Sequence, residues 1–332
     1  MELSVVVPTL NGRERLATSL DSLAAHAPDA EVVVVNGPSA DGTTGMVRDR
    51  DDVDVLVELS ARAVNVARNA GIQAAEGDVV AFLGHDFAVT PEWADAIEER
   101  LAERPVVTGP TRRRVYGGQT ADEPERRRIC KRDVSYFDGG NVAFRAAVLD
   151  DLDGFDEYLD VGGARDAAHR LAGLGYDVVW EPRMGVSLEH ETDGGVESRD
   201  WEWKYRSLAY RLAKNYGLRP EVARRTLRHA GSDALSTARD VLAGEAVPTS
   251  WFGTSRGVAV GMAIGARDGL LARARDRTPT RNPRGVSTRT DRAVAQYDWR
   301  PSSSTSSSTS SSSSSTSSSS STSSSTSSSS PP

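Results

Sequence analysis

Residues Asp78 to Pro91 read DVVAFLGHDFAVTP. Val79 to Leu83 is an unbroken apolar run, the pattern of a strand buried on both faces. The run stops at Gly84-His85-Asp86. Glycine turns a backbone without steric cost, and a His and an Asp then stand at the carboxyl end of the strand. In open α/β sheets that end is where ligands bind. Thr90-Pro91-Glu92 predicts a helix start, with Thr90 as N-cap, Pro91 at the first helical position and acids in the first turn.

The flanking sequence repeats the theme. Leu3 to Val7 is a second buried-strand run, closed by Pro8-Thr9-Leu10-Asn11-Gly12. Arg13 to Ala25 predicts a helix, with Leu16, Leu20 and Leu23 on one face. Glu31 to Val35 predicts another strand, ending in the polar turn Asn36 to Thr43. Strand, helix and strand at this spacing form a βαβ unit with a parallel pair. Further on, Phe137-Asp138-Gly139-Gly140-Asn141 leads into a strand over Val142 to Phe144, and Arg145 to Leu152 predicts a short helix. Arg165 to Gly173 predicts a helix capped by Gly175, with Asp166 in the first turn, where the helix dipole favours a carboxylate. Tyr176 to Trp180 is the next strand, and Ser187-Leu188-Glu189-His190 closes another. The fold class is therefore α/β, a Rossmann-like mixed sheet flanked by helices.

Composition narrows the function. The chain has 332 residues and a net charge of -7, from 40 basic and 47 acidic residues. An acidic balance argues against nucleic acid as a partner. Only Lys131, Lys204 and Lys214 are lysines, so nearly all the basic residues are arginines. The single Cys130 excludes an internal disulfide and a Cys-cluster metal site. A strand begins almost at the first residue, so no signal peptide is expected. No run of about 18 apolar residues occurs, so no transmembrane helix is expected.

Taken together, VVVPTLNGRERL, VVVVNGPSADGTT, Asn65-Val66-Ala67-Arg68-Asn69-Ala70-Gly71, the FLGHD stretch, GGNVAF at Gly139 to Phe144, GFDE at Gly154 to Glu157 and GARDAAHRLAGLGYDVVWEP at Gly163 to Pro182 resemble a family 2 glycosyltransferase with the GT-A fold. The resemblance covers roughly the first two thirds of the chain. It implies a nucleotide-sugar donor held by Pro8, Thr9, Asn11, Asn36, Asp41, Arg68, Gly140 and Asn141. It implies a divalent cation, Mg or Mn, on Asp86 and His190, and Asp166 as the general base of an inverting transfer. In archaeal relatives such enzymes extend lipid-linked glycans destined for surface glycoproteins. The acceptor implied is thus a lipid-linked saccharide, and the setting is cytoplasmic, at the inner face of the membrane. The sequence departs from the family where Asn36, Gly84, His85 and Arg165 stand in place of its usual acids. Hard cations want several oxygen ligands, so these losses bear on the metal, and a non-catalytic nucleotide- or sugar-binding scaffold is the alternative. A nucleotidyltransferase would want a Gly cluster after the first strand, and PTLNGRERL has none.

Three domains are expected: a glycosyltransferase domain over 1–200, a helical extension over 201–300 and a disordered Ser/Thr tail over 301–332. Thr108 to Asp138, with Arg112-Arg113-Arg114 and Arg126-Arg127-Arg128, reads as a basic mobile loop. Trp201 to Tyr216 interleaves aromatics with basic residues, a pattern that suits a membrane interface or packing under the catalytic domain. Gly257 to Ala266 is apolar but too short to span a bilayer, and suits an interfacial or lid helix. Thr278 to Arg300 reads as irregular. The tail has no apolar residue to bury.

Overall fold

A computed structural model describes residues 1–113, 123–188, 201–221, 224, 248–289 and 292–301. His190, the Gly117-Gly118 part of the basic loop and the Ser/Thr tail lie outside them.

The valine runs become the centre of an eight-stranded sheet. β1 (Leu3–Thr9) pairs in parallel with β2 (Glu31–Asn36) and β4 (Val79–Leu83), and β2 pairs in parallel with β3 (Val55–Leu59). The connecting helices are α1 (Arg13–His26), α2 (Thr43–Arg48) and α3 (Val64–Ala74). β10 (Asn141–Arg145) runs antiparallel between β4 and β6 (Val106–Thr108), and β11 (Val178–Trp180) follows β6 in parallel. Both faces of the sheet are covered. Val6, Val33, Val35 and Phe82 lie in one apolar layer with Val66 of α3 and Leu171 of α6 (Gly163–Leu174). Val5, Val7, Val32 and Val34 lie in the other with Leu16, Leu20 and Leu23 of α1 and Ile97 of α4 (Trp93–Glu103). Each such fully buried side chain stabilises the fold by about 1.5–3 kcal/mol relative to exposure.

Some expectations are corrected. Thr90 is not the N-cap of α4. The chain first forms β5 (Phe87–Val89), and Thr90 then donates its hydroxyl to the Arg183 carbonyl at 3.1 Å while Glu92 precedes the helix. β5 pairs with β12 (Val186–Leu188), which pairs with β7 (Thr111–Arg113) in a small second sheet. Arg126 to Arg128 are not a loop but β8 (Arg126–Ile129), hairpinned to β9 (Arg132–Ser135). The irregular reading of 278–300 also fails, because β13 (Ala293–Asp298) adds antiparallel to the β3 edge. Helix α5 (Ala146–Leu152) follows β10 as expected.

Met1–Arg300 form one unit and Pro301–Pro332 another. Within the first, α7 (Trp201–Tyr216) buries Tyr205, Tyr210, Leu212 and Tyr216, so its aromatic face points inward. Tyr158 stacks on Tyr210 with ring centroids 4.1 Å apart. The apolar Gly257–Ala266 stretch belongs to a much longer helix, α8 (Pro248–Arg275). Gly261, Gly265 and Gly269 recur every four residues and so share one helix face. A Cβ at any of them would overlap the backbone carbonyl oxygen of Glu202, Arg206 or Tyr210 of α7. The glycines are therefore what allows α7 and α8 to touch backbone to backbone. Among the described residues no helix is long and apolar enough to cross a membrane.

Candidate active site at the carboxyl edge of the sheet

Four segments meet at this edge: Pro8 to Gly12 after β1, Gly37 to Gly42 after β2, Gly84 to Asp86 after β4, and Asp138 to Gly140 before β10. β10 is antiparallel to β4 and pairs Asn141 with Leu83, which brings its preceding turn to the end of β4. The Gly84 N–H donates to the Gly140 carbonyl at 2.9 Å. A Cβ on Gly140 would lie 3.1 Å from the Gly84 nitrogen and 2.9 Å from the Phe87 ring. The two glycines thus let two backbones close over each other.

His85 leans across to the first loop. A Cβ on Gly12 would stand 2.6 Å from His85 Cδ2 and 2.9 Å from Thr9 Oγ1, so Gly12 makes room for the imidazole. Burial pushes the imidazole pKa down, Arg15 adds to this, and Asp86 and the Pro8 carbonyl oppose it. The Thr9 hydroxyl is buried without a hydrogen-bond partner. Buried polar groups are nearly always paired, so an orphan here marks a place for an outside group. Asp86 is half-buried on the same tip.

The two nucleotide loops of the sequence reading are laced to each other. The Asn11 N–H donates to Ser39 Oγ, and Asn11 Oδ1 accepts from the Ala40 N–H, each at 2.8 Å. Asp41 caps two helices at once, accepting from the Arg13 N–H at 3.0 Å and from the Thr43 N–H at 3.1 Å. Burial, though slight, would raise its pKa. The bonds from Thr43 and Arg13 outweigh it and hold the carboxyl below the usual range. Asn36 is buried, and its amide donates to Thr44 Oγ1 at 2.9 Å while accepting from Ser39 Oγ at 2.7 Å. Thr44 in turn donates to Glu58 Oε1 at 2.8 Å. In this arrangement Asn36 ties its loop to the start of α2.

Arg68 spans the gap to the fourth segment. Its Nη2 donates to the Gly139 carbonyl at 2.9 Å and its Nη1 to Asn65 Oδ1 at 3.1 Å. Its Nε is buried without a partner. Burial brings the guanidinium down to about 10, against the pull of Asp138, so it stays charged at neutral pH. Asn141 is a fastener below the rim. It accepts from Trp93 Nε1 at 3.0 Å and donates to the Met184 carbonyl at 3.0 Å. Asp138, absent from the sequence-predicted set, accepts from the Gly140 N–H through Oδ1 at 2.9 Å and is half-buried. Its place directly before Gly139-Gly140 was the signal that could have found it.

Asp166 stands elsewhere. Its side chain is 0% exposed. It accepts from Arg170 Nε at 2.8 Å, Lys214 Nζ at 2.7 Å and Asn215 Nδ2 at 2.9 Å. Lys214 also donates to Asp156 Oδ2 at 2.6 Å, as does the Tyr210 hydroxyl at 2.6 Å. Burial would raise the Asp166 pKa, but Lys214 and Arg170 together bring it down to about 2. A carboxylate so saturated is a poor proton acceptor. The expected general base is, in this geometry, the ion-pair anchor that ties α6 to α7.

The described residues contain no group of three or more His, Cys, Asp or Glu that could hold a metal ion. Asp86 alone offers a carboxylate at the tip. Magnesium-type sites use one or two carboxylates plus substrate phosphates, and that donor set fits such a shared site rather than an all-protein cage.

Residues 4–152 match the family described as Glycosyl transferase family 2. The chain is 26% identical over 223 residues to the pre-mycofactocin glycosyltransferase of Mycobacterium tuberculosis, covering 60% of this chain and 44% of that protein. It is 26% identical over 195 residues to glycosyltransferase AglE of Haloferax volcanii, covering 54% and 64%. The chain therefore spans about half to two thirds of these relatives' lengths. Among solved structures, the mannosyltransferase PcManGT from Pyrobaculum calidifontis, in complex with GDP-Man and Mn2+, superimposes with a TM-score of 0.52 at 19% identity, over 80% of this chain and 86% of that one. Residues 1–349 of S. aureus TarS in complex with UDP-GlcNAc give 0.52 at 18% identity, over 83% and 92%. At these identities the likeness establishes the fold, a GT-A arrangement. The chain carries its edge loops where the sheet topology puts a ligand crevice.

Proposed function

We propose that this chain moves a sugar from a nucleotide-sugar donor to a hydroxyl of a lipid-linked saccharide, with inversion at the anomeric carbon. One observation carries the reading. Four loops close on one edge of the sheet around an orphaned Thr9 hydroxyl and an orphaned Arg68 Nε, in a fold shared with proteins solved holding GDP-Man and UDP-GlcNAc.

Each residue has a task in this reading. Pro8 to Gly12 and Gly37 to Gly42 clasp the nucleoside, and Thr9 donates to the donor. Arg68 and the Gly139-Gly140 backbone face the diphosphate and sugar. A bound divalent cation, Mg or Mn, would supply charge neutralisation for the departing diphosphate, with Asp86 as its protein ligand. The acceptor oxygen forms the new bond to the anomeric carbon as the bond to the diphosphate oxygen breaks and its electron pair leaves with the diphosphate. The released proton goes to Asp138 Oδ2, and a single displacement gives inversion. Asp166 positions the helix that backs the site. The lipid-linked acceptor and the inner membrane face are the finer part of the reading, supported by the family resemblance.

The test is a thermal-shift series with UDP and GDP, with and without Mn²⁺ or Mg²⁺, followed by transfer assays with the stabilising donor. Ligand binding stabilises by mass action. Metal-dependent stabilisation by one diphosphate followed by turnover supports the transferase. Stabilisation without hydrolysis or transfer would favour the second reading, a nucleotide-sugar-binding scaffold, which the locked Asp166 speaks for. No stabilisation by either nucleotide would remove both.

A further inference from the structure

Far along the chain from the sheet-edge loops, the end of α8 holds a concentration of positive charge in a protein of net charge -7. A solvent-open cavity of about 380 Å³ is lined by Leu270, Arg273, Ala274, Arg277 and Arg281. Arg132 and Arg219 add to its field, since both press on Arg273 electrostatically and Arg132 on Arg281. None of these five arginines is in a salt bridge among the described residues. Two acids lie near. Asp276 spends its oxygens on the N–H groups of Thr278 and Asn282, and Glu221 takes the Cys130 N–H. Arg273 has a structural duty, donating from Nη1 to the Lys214 and Asn215 carbonyls at 3.1 Å each, at the end of α7. That duty explains one nitrogen of one residue. Among the described residues it leaves Arg277 and Arg281 lining the cavity with no side-chain hydrogen bond or salt bridge, and only the field of Asp276 acts on Arg281 against the other arginines. Leu271, 45% exposed, adjoins the lining residue Leu270 on α8, and Leu218, 78% exposed, follows Gly217, where a Cβ would stand 3.4 Å from Arg273 Nε.

Like charges held together repel, so such a cluster is costly unless an anion completes it. Arginine forks match phosphate oxygens in pairs. Basic residues rimmed by exposed leucines are the pattern of an interfacial surface, charge on the headgroup and apolar groups in the acyl boundary. We propose that the Arg273–Arg277–Arg281 cavity binds the phosphate of an anionic lipid headgroup, with Leu218 and Leu271 dipping into the adjoining acyl region. The site is independent of the sheet-edge reading above.

The full chain is sedimented with phosphatidylglycerol-containing vesicles and with pure phosphatidylcholine vesicles, beside the double variant Arg277→Gln/Arg281→Asn. Asparagine suits position 281, whose φ is +51°, because Asn tolerates the left-handed region. The parent should bind the anionic vesicles selectively, and the variant about 30-fold more weakly, the loss expected for two arginines at such a surface. Leu218→Ser should weaken vesicle binding and leave salt sensitivity unchanged. Stabilisation by UDP or GDP, measured on the same variants, should not move, which reports both folding and the separate donor site. Stabilisation of the parent by pyrophosphate with no vesicle binding would assign the cavity to a soluble phosphate and overturn the lipid. Equal binding by parent and double variant, or no binding to either probe, would overturn the site.

Discussion

Asp138 and Asp166 make an instructive pair. Both stand near a Gly-Gly step, Asp138 directly before Gly139-Gly140 and Asp166 three residues after Gly163. Asp138 is half-buried and accepts one backbone N–H. Asp166 is fully buried, and two cations and an amide take its oxygens. Neighbouring sequence makes a carboxylate look reactive. Its partners decide whether it has a lone pair and a route to spare.

The sharpest way to break this comparison is to neutralise each aspartate in turn. Asp138→Asn should lower turnover by roughly 10²–10⁴-fold, the usual contribution of general acid–base catalysis, while Tm and donor binding hold. Asp166→Asn should do the reverse. It removes a charge that Lys214 and Arg170 both use, costing about 1–3 kcal/mol in urea unfolding, with turnover per folded molecule within a few-fold of the parent. Exchanged phenotypes would restore Asp166 as the base.

Lys214→Met probes the buried side directly. The apolar side chain fills the space but leaves Asp156 and Asp166 close together with one cation fewer. Removing one member of a buried ion network costs about 3–5 kcal/mol, read as a fall in the urea midpoint. A loss below about 1 kcal/mol would mean that the network is hydrated and that Asp166 is less committed than its contacts indicate.

The two regions were not equally legible. The sheet edge could be read because its signals are local: a valine run that stops, a glycine, then polar residues at Gly84-His85-Asp86 or Asp138-Gly139-Gly140. The parallel core followed from the same runs, and the bounds of β4 and α7 match the reading at Val79–Leu83 and Trp201–Tyr216. The fate of Asp166 depends on Lys214, 48 positions away, and that of Asn36 on Thr44 and through it Glu58. No spacing rule encodes such meetings. β13 lacks a clear strand signal because its half-buried face carries only Ala293, Ala295 and Tyr297, while Val294 is exposed. The four-residue glycine spacing in α8 was visible, but its meaning depends on the backbone of α7 lying against it.

Acid should also separate the regions. Against the cost of burial, Lys214 and Arg170 hold the Asp166 carboxyl down at about 2, below the ordinary aspartate value of 3.8. A depressed carboxylate contributes stability that is complete above its unfolded pKa and is lost as pH falls through the folded one. That stability should therefore disappear between roughly pH 4 and pH 2. Urea midpoints across that window should fall for the parent and fall less for Asp166→Asn. Parallel curves would show that the network is not what titrates.

The smallest effect belongs to Asp86, where the protein contributes least to a shared site. The Gly84-His85-Asp86 tip carries one carboxylate, with Gly84 packed on Gly140 and His85 against Gly12. A cation there draws most of its oxygens from the diphosphate and from water. Asp86→Asn replaces a charged ligand with a neutral amide of the same shape. It should weaken metal-dependent UDP or GDP binding by about tenfold, roughly 1.4 kcal/mol, and leave metal-free nucleotide binding as it was. The difference between the two titrations isolates the carboxylate's share. If both weaken together, Asp86 shapes the loop rather than holding a metal. If neither changes, the cation is held by residues outside the Gly84–Asp86 tip.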